Sequence, residues 1–83
     1  MKLRNLAIIK LRDVLTTIIE ALKQGETVVI PDLIAILKAI ELLIKNEKVT
    51  SIIKEIETIL EGADSVLPAV VKMLEDIESI INA

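Results

Sequence analysis

Apolar residues recur along this chain at intervals of three and four positions, which is the spacing of one face of an α-helix. The first such stripe consists of Ile8, Leu11, Leu15, Ile18 and Leu22. Stripes with the same spacing follow at residues 29–44, 52–60 and 67–81. The pattern predicts an all-α protein with four helices, the first of which covers about residues 2–24.

The second half of the chain repeats the first after a shift of 37 positions. GETVVIPDLIAILKAIELLIKN then falls on GADSVLPAVVKMLEDIESIINA, and 33 ungapped pairs contain nine identities. Random pairing at this composition would give about three or four, so the match indicates an internal duplication. The predicted units are about residues 1–46 and 47–83, each an αα-hairpin. Two hairpins are too few for a stable solenoid, so we expect one domain, a closed four-helix bundle.

Both copies of the repeat begin their second helix with the same pattern of a glycine, a capping residue, two apolar residues and a proline. These positions are Gly25, Thr27 and Pro31 in the first copy, and Gly62, Asp64 and Pro68 in the second. We expect each glycine to end the preceding helix in a left-handed conformation. The threonine and the aspartate are then the expected N-caps, with each proline in the first helical turn.

Two details of the helix boundaries stay open in the sequence. Residues 27–30 could instead form an extended linker, because the residue before a proline disfavours the α conformation. The helical interpretation is preferred because it places Val29 and Ile30 on the same face as Leu33 and Leu37. In the connection IKNEKVTS, Asn46 can either end the second helix or cap the third.

Composition argues against an enzyme or a metal protein. The chain has 83 residues, of which 53% are hydrophobic, and it contains no histidine, cysteine or aromatic residue. It therefore lacks the commonest general base and the commonest metal ligands. Its serines have no histidine partner, and its two glycines are too far apart for a phosphate-binding loop. We expect no catalytic residue, no metal and no organic cofactor.

Glu41 and Glu78 are the best candidates for hidden chemistry, since they occupy equivalent positions in the two repeats. Each projects to the edge of the apolar face of its helix. Two such carboxylates could share a proton or hold a cation. The alternative, which we prefer, is that both are edge residues that reach the solvent, with Lys38 and Lys45 as helical partners for Glu41.

Charge distinguishes the beginning of the chain from the remainder. The net charge is −3, which does not favour nucleic acid as a partner, yet four cations precede the first acid, Asp13. Leu3, Leu6 and Ile9 lie among these cations, so peripheral membrane or lipid binding is an alternative function. No cleavable signal or stretch of about 20 apolar residues is present, so we expect a soluble, cytoplasmic protein.

The chain contains more large aliphatic residues than one small core requires. Leucine, isoleucine, valine and methionine total 37, whereas a bundle of this size offers roughly 25 core positions. The predicted interface residues on the flanks of the helices are Leu6, Ile9, Ile36, Leu42, Leu43, Met73 and Ile80. The sequence thus predicts a structural or protein–protein interaction bundle that binds itself, most simply as a dimer, or another helical protein. Internal packing of broad faces within one monomer is the rival explanation for the flanks, and an artificial sequence without natural function is a further alternative.

Overall fold

The computed structural model describes the backbone of residues 3–82 and the side chains of residues 6–82. This part of the chain forms four helices and no strand, which confirms the all-α prediction. The helices are α1 (Leu3–Lys23), α2 (Ile30–Leu43), α3 (Glu47–Leu60) and α4 (Pro68–Asn82). The predicted start of the first helix at Lys2 lies outside the described residues.

The four helices form a closed bundle in which each helix contacts two neighbours. Consecutive helices pack together, and α1 closes the ring by packing against α4. In the described part of the chain, no Cα atoms of the diagonal pairs α1–α3 and α2–α4 come within 8 Å of each other. Residues 24–29 and 61–67 therefore connect helices at one end of the bundle, here called the two-loop end, and residues 44–46 lie at the opposite, one-loop end.

The core is entirely aliphatic, and no polar side chain among the described residues is fully buried. Its members are Leu15, Ile19, Leu33, Leu37, Ile40, Val49, Ile53, Ile56, Leu60, Val70, Leu74 and Ile77. The three core residues of α2 and the three of α4 are related by the same shift of 37 positions that relates their sequences. The two helices thus present equivalent faces to the core.

Both glycines have the left-handed conformation that the sequence predicts. Gly25 has φ 82° and Gly62 has φ 76°. After α1, the amide of Gly25 donates to the carbonyl of Leu22, and the amide of Glu26 donates to that of Ala21. This pair of bonds is the Schellman motif, which satisfies carbonyls that the end of a helix leaves free.

The predicted N-caps at Thr27 and Asp64 are wrong, although both prolines do lie in the first turn of their helices. The N-cap of α2 is Val29, in an extended conformation and without a side-chain capping bond, and α4 begins only at Pro68. Residues 26–29 before α2 and residues 63–67 before α4 are not helical. The extended alternative therefore describes residues 27–29 better, but it fails at Ile30, which is the first residue of α2 although it precedes the proline.

The packing of the first connection explains why it is extended rather than helical. Side chains alternate between the two sides of an extended segment. Val28 and Ile30 both pack against the core, while Val29 between them is 58% exposed. Burial of two aliphatic side chains thus replaces the hydrogen bond that a Thr27 cap would have provided.

Asn46 caps α3, which resolves the choice that the sequence left open. Its side-chain oxygen accepts hydrogen bonds from the amides of Lys48 at 2.9 Å and Val49 at 3.1 Å. These are two of the amides that have no partner inside the helix. α2 ends earlier, at Leu43, with Ile44 as its C-cap.

Candidate interaction surface

The seven predicted interface residues divide into an exposed group and a packed group. Leu42 is 75% exposed and Leu6 is 41% exposed, whereas Ile9 and Leu43 are partly buried. The remaining three, Ile36, Met73 and Ile80, are partly buried and pack against the core. Internal packing of α2 and α4 therefore accounts for most of the predicted flank stripe, and only Leu6 and Leu42 are strongly exposed.

Two other exposed apolar residues, which sequence reasoning missed, lie in the connections at the two-loop end. Val29 is 58% exposed and Leu67 is 52% exposed. The sequence pattern placed both residues on the core-facing side, because it assumed that α2 and α4 begin before their prolines. The signal that could have found Leu67 is Pro68, since a proline disfavours helix at the preceding residue.

α1 is longer than its neighbours, and its first turns do not contribute to the core. It has 21 residues against 14 or 15 in the others, which at 1.5 Å per residue is about 10 Å of additional length. The side chains of α1 that pack against the core begin at Leu11. Leu6, Ile8 and Ile9 therefore form an apolar segment beside the cations Lys10 and Arg12 that does not pack against the core, although Ile8 and Ile9 are partly buried.

An open groove between α2 and α3 contains the most exposed leucine of the bundle. It consists of two adjoining depressions of about 550 and 610 Å³. Glu41, Leu42 and Lys54 line both depressions. The groove is lined otherwise by polar and charged side chains, so Leu42 is an isolated apolar group at its centre.

The two equivalent glutamates differ in their surroundings, and the bundle does not bring them together. Glu78 on α4 accepts a hydrogen bond from the hydroxyl of Thr16 on α1. Glu41 lies on α2, which is diagonal to α4, and its buried Oε2 atom has no hydrogen-bond partner. No group of three or more acidic side chains that could hold a metal ion occurs in the described part of the chain. The shared-proton and shared-cation hypotheses for this pair therefore have no geometric support.

A second polar contact joins α1 to α4 near the two-loop end. The Nζ atom of Lys23 lies 2.5 Å from a carboxylate oxygen of Glu75. The hydrogen bond to Glu75 raises the pKa of Lys23 above its usual value, and attraction between the two charges adds to the shift. The side chains of Lys23 and Glu75 are 55% and 37% exposed, so solvent screens the pair, and its contribution to stability is small.

The first turns of α1 also bear on the question of membranes. Their apolar residues lie beside cations, which is the arrangement of helices that bind at a lipid surface. Within residues 3–82, no helix has both the length and the apolar character that a membrane span requires.

Comparison of the chain with protein families, with curated proteins and with solved structures finds no match in any of the three. We therefore infer its function from the chemistry of its own surface.

Proposed function

We propose that this chain is a non-enzymatic structural or interaction protein that binds other helical surfaces, with a second copy of itself as the favoured partner. The observation that carries the proposal is the exposure of Leu42, at 75%, in the centre of an open groove. Burial of apolar surface stabilises a complex by about 25 cal/mol per Å², and this leucine is available for it. A dimer is the simplest assembly because twofold pairs are the commonest symmetric oligomers.

The apolar surface available for such binding is modest, which determines the affinity to expect. An interface with one leucine as its main anchor must offset the entropy lost on association with few apolar contacts. We therefore expect a dissociation constant on the order of 100 μM rather than nanomolar.

Sedimentation equilibrium and native mass spectrometry test the proposal directly. We expect the mass to rise from that of one chain, 9.1 kDa, toward twice that value between about 10 μM and about 1 mM. A detergent-free buffer is needed so that micelles do not cover the apolar side chains. A monomeric mass over the whole concentration range would contradict self-association.

A second candidate function, attachment to an anionic membrane surface, is supported by the first turns of α1. Leu6 and Ile9 are apolar, Lys10 and Arg12 are cationic, and the apolar side chains of this part of α1 do not pack against the core. Apolar burial and attraction to anionic lipid act together in peripheral helices of this kind.

Vesicle co-sedimentation tests this second candidate. Binding to vesicles of phosphatidylcholine and phosphatidylserine, with weaker binding to phosphatidylcholine alone, would support it. Leu6→Glu should then reduce binding, while Leu42→Glu, which changes an exposed leucine away from α1, should leave it unchanged. Absence of binding to both kinds of vesicle would rule this candidate out.

A further inference from the structure

One side of α1 carries exposed residues that the core does not use, here called the α1 stripe: Leu6, Lys10 and Val14. Leu6 and Val14 are each 41% exposed, and Lys10 between them is exposed as well. Successive members are four positions apart, so they lie on the same side of the helix over about 12 Å. Among the described helices, α1 is the only one with two exposed large aliphatic residues.

Lys10 continues the apolar surface of the stripe rather than interrupting it. The methylene groups of a lysine can lie along an apolar surface while its ammonium group stays in a polar environment. Lys10 takes part in neither of the ion pairs that the described residues form. Its ammonium group is therefore available to an anionic partner, between two exposed aliphatic side chains.

The acid nearest to the stripe in the sequence is Asp13, and its charge is offset. Its carboxylate lies 3.6 Å from the guanidinium group of Arg12. The next acid of α1 is Glu20, about two turns further along the helix. The four cations that precede Asp13 in the sequence have no acid among them. The stripe thus begins in the part of the chain where positive charge dominates.

Charge is also divided between the two halves of the bundle. Residues 1–46, which contain α1 and α2, have seven cations and five acids. Residues 47–83, which contain α3 and α4, have three cations and eight acids. Since α3 is diagonal to α1, the side of the bundle opposite the α1 stripe belongs to the acidic half. This asymmetry favours an anionic surface as the partner of the α1 side.

We propose that the α1 stripe is the contact surface for an anionic lipid bilayer, with α1 lying flat in the plane of the headgroups. Leu6 and Val14 then insert among the upper acyl chains, and the ammonium group of Lys10 binds lipid phosphates between them. α3 faces the aqueous phase, where its acids are farthest from the lipid. This inference rests on the second candidate function and adds the orientation of the bundle, which end-on insertion of the first turns would not give.

A second copy of the chain fits the α1 stripe less well than a bilayer does. A twofold pairing of two α1 helices centred on the stripe, parallel or antiparallel, would bring two copies of Lys10 together. Like charges in contact disfavour that arrangement. A bilayer that contains anionic lipid supplies negative charge along the whole stripe together with an apolar layer beneath it.

The first test locates the stripe relative to the lipid. Because the chain has no cysteine, one introduced cysteine can carry a single fluorescent label. Val14→Cys places a nitrobenzoxadiazole label on the stripe, and Glu55→Cys places one at an exposed position on α3. Phosphatidylcholine vesicles with about 30% phosphatidylserine should raise the fluorescence of the first label at least about twofold and change that of the second little. A protein concentration of about 1 μM keeps the chain monomeric at the affinity expected for self-association.

The second test compares Val14→Glu with Leu6→Glu and with a matched control on α3. Ile59→Glu is the control, because Ile59 is 39% exposed, β-branched like valine and not part of the core. If α1 lies flat, Val14→Glu and Leu6→Glu should each weaken binding to these vesicles at least about tenfold, and Ile59→Glu should not. End-on insertion of the first turns predicts weakening by Leu6→Glu alone. Circular dichroism should show that all three variants keep their helical content, since none of these residues belongs to the core.

The third test removes the cation from the stripe. Lys10→Gln should weaken binding to the phosphatidylserine vesicles about fivefold, because a basic residue near an anionic bilayer contributes about that factor. Lys48→Gln removes an exposed cation from α3 and should have little effect. Neither variant should alter the weaker binding to phosphatidylcholine alone. Equal effects of the two variants would show that net charge, and not the stripe, determines the binding.

The outcomes separate this inference from the function on which it rests. A protein that binds neither kind of vesicle contradicts both. If Leu6→Glu weakens binding, Val14→Glu does not and the label at position 14 stays in water, membrane attachment is retained but the flat orientation of α1 is wrong. If Val14→Glu weakens self-association and leaves vesicle binding unchanged, a second copy covers the stripe and the inference is overturned.

Discussion

The hydroxyl of Thr16 donates a hydrogen bond to a carboxylate oxygen of Glu78, and this bond joins α1 to α4. The two residues are 62 positions apart in the chain, so the contact belongs to the closure of the bundle. Glu41, which occupies the equivalent position on α2, has an oxygen atom without any partner. Two residues related by the repeat thus have different environments.

Removal of the Thr16 hydroxyl should destabilise the protein. We expect Thr16→Val to lower the free energy of unfolding by about 1 kcal/mol, because the partly buried carboxylate of Glu78 loses its donor. Thr17→Val is the control, since its hydroxyl donates to the backbone carbonyl of Asp13 at an exposed site within α1. Urea unfolding followed by circular dichroism measures the free energy of unfolding of both variants. Equal losses would show that the bond between α1 and α4 stabilises the protein no more than the bond within α1.

The N-cap of α3 provides a second prediction. Asn46→Ala should lower the free energy of unfolding by about 1 kcal/mol, because two amides of the first turn lose their acceptor. Thr27→Ala should have almost no effect, since the N-cap of α2 is Val29. Thermal unfolding of the two variants compares them directly. A larger loss for Thr27→Ala would mean that this side chain, and not Val29, determines the start of α2.

The left-handed glycines should be sensitive to substitution for a conformational reason alone. Apart from its chain neighbours, a Cβ atom at Gly25 or Gly62 would meet no heavy atom within 4 Å, so the cost of alanine arises from the positive φ. We expect each Gly→Ala variant to lose about 1 kcal/mol of unfolding free energy. Gly62→Asn should lose less, because asparagine tolerates this conformation better. A neutral Gly62→Ala would contradict the assigned backbone angles.

The contact between Lys23 and Glu75 predicts a small effect of alkaline pH. Because folding raises the pKa of Lys23, the pair's contribution is fully present below the unfolded value of 10.5 and is lost as pH rises through the folded pKa. Glu75→Gln should therefore lower the melting temperature slightly near neutral pH, and by less once the pH has risen through the folded pKa of Lys23. Glu55→Gln, at an exposed position on α3, is the control. If the difference in melting temperature between Glu75→Gln and the natural sequence stays constant into the alkaline range, the ion pair does not stabilise the protein.

The helical periodicity was sufficient to predict the four helices and the closed bundle, because the stripes are strong and the glycines mark two of the ends. The predicted N-caps of α2 and α4, at Thr27 and Asp64, were wrong. At Thr27, local capping chemistry competed with the burial of Val28 in the connection and of Ile30 at the start of α2, and the burial determined the structure. Periodicity alone could not reveal this, since Val29 has an acceptable phase for either conformation.

The candidate surface was harder to predict than the fold. Ile36, Met73 and Ile80 lie at the edge of their helical faces, where the sequence cannot distinguish internal packing from an interface. That distinction depends on how far neighbouring helices are apart. Leu42 was identified correctly as a flank residue, but its place between Glu41 and Lys54 requires knowledge of which helix lies beside α2.

The ring of helix contacts has a consequence for the order of folding. Three of its four interfaces join helices that follow each other in the chain, and each can form as a local hairpin with little loss of loop entropy. Only the α1–α4 interface must bring together segments from the two halves of the sequence. We therefore expect fast folding, typical of chains with mainly local contacts, in which the pairing of α1 with α4 is the slowest step. Substitutions such as Thr16→Val would then act late, on the closing of the ring, and accelerate unfolding more than they slow folding.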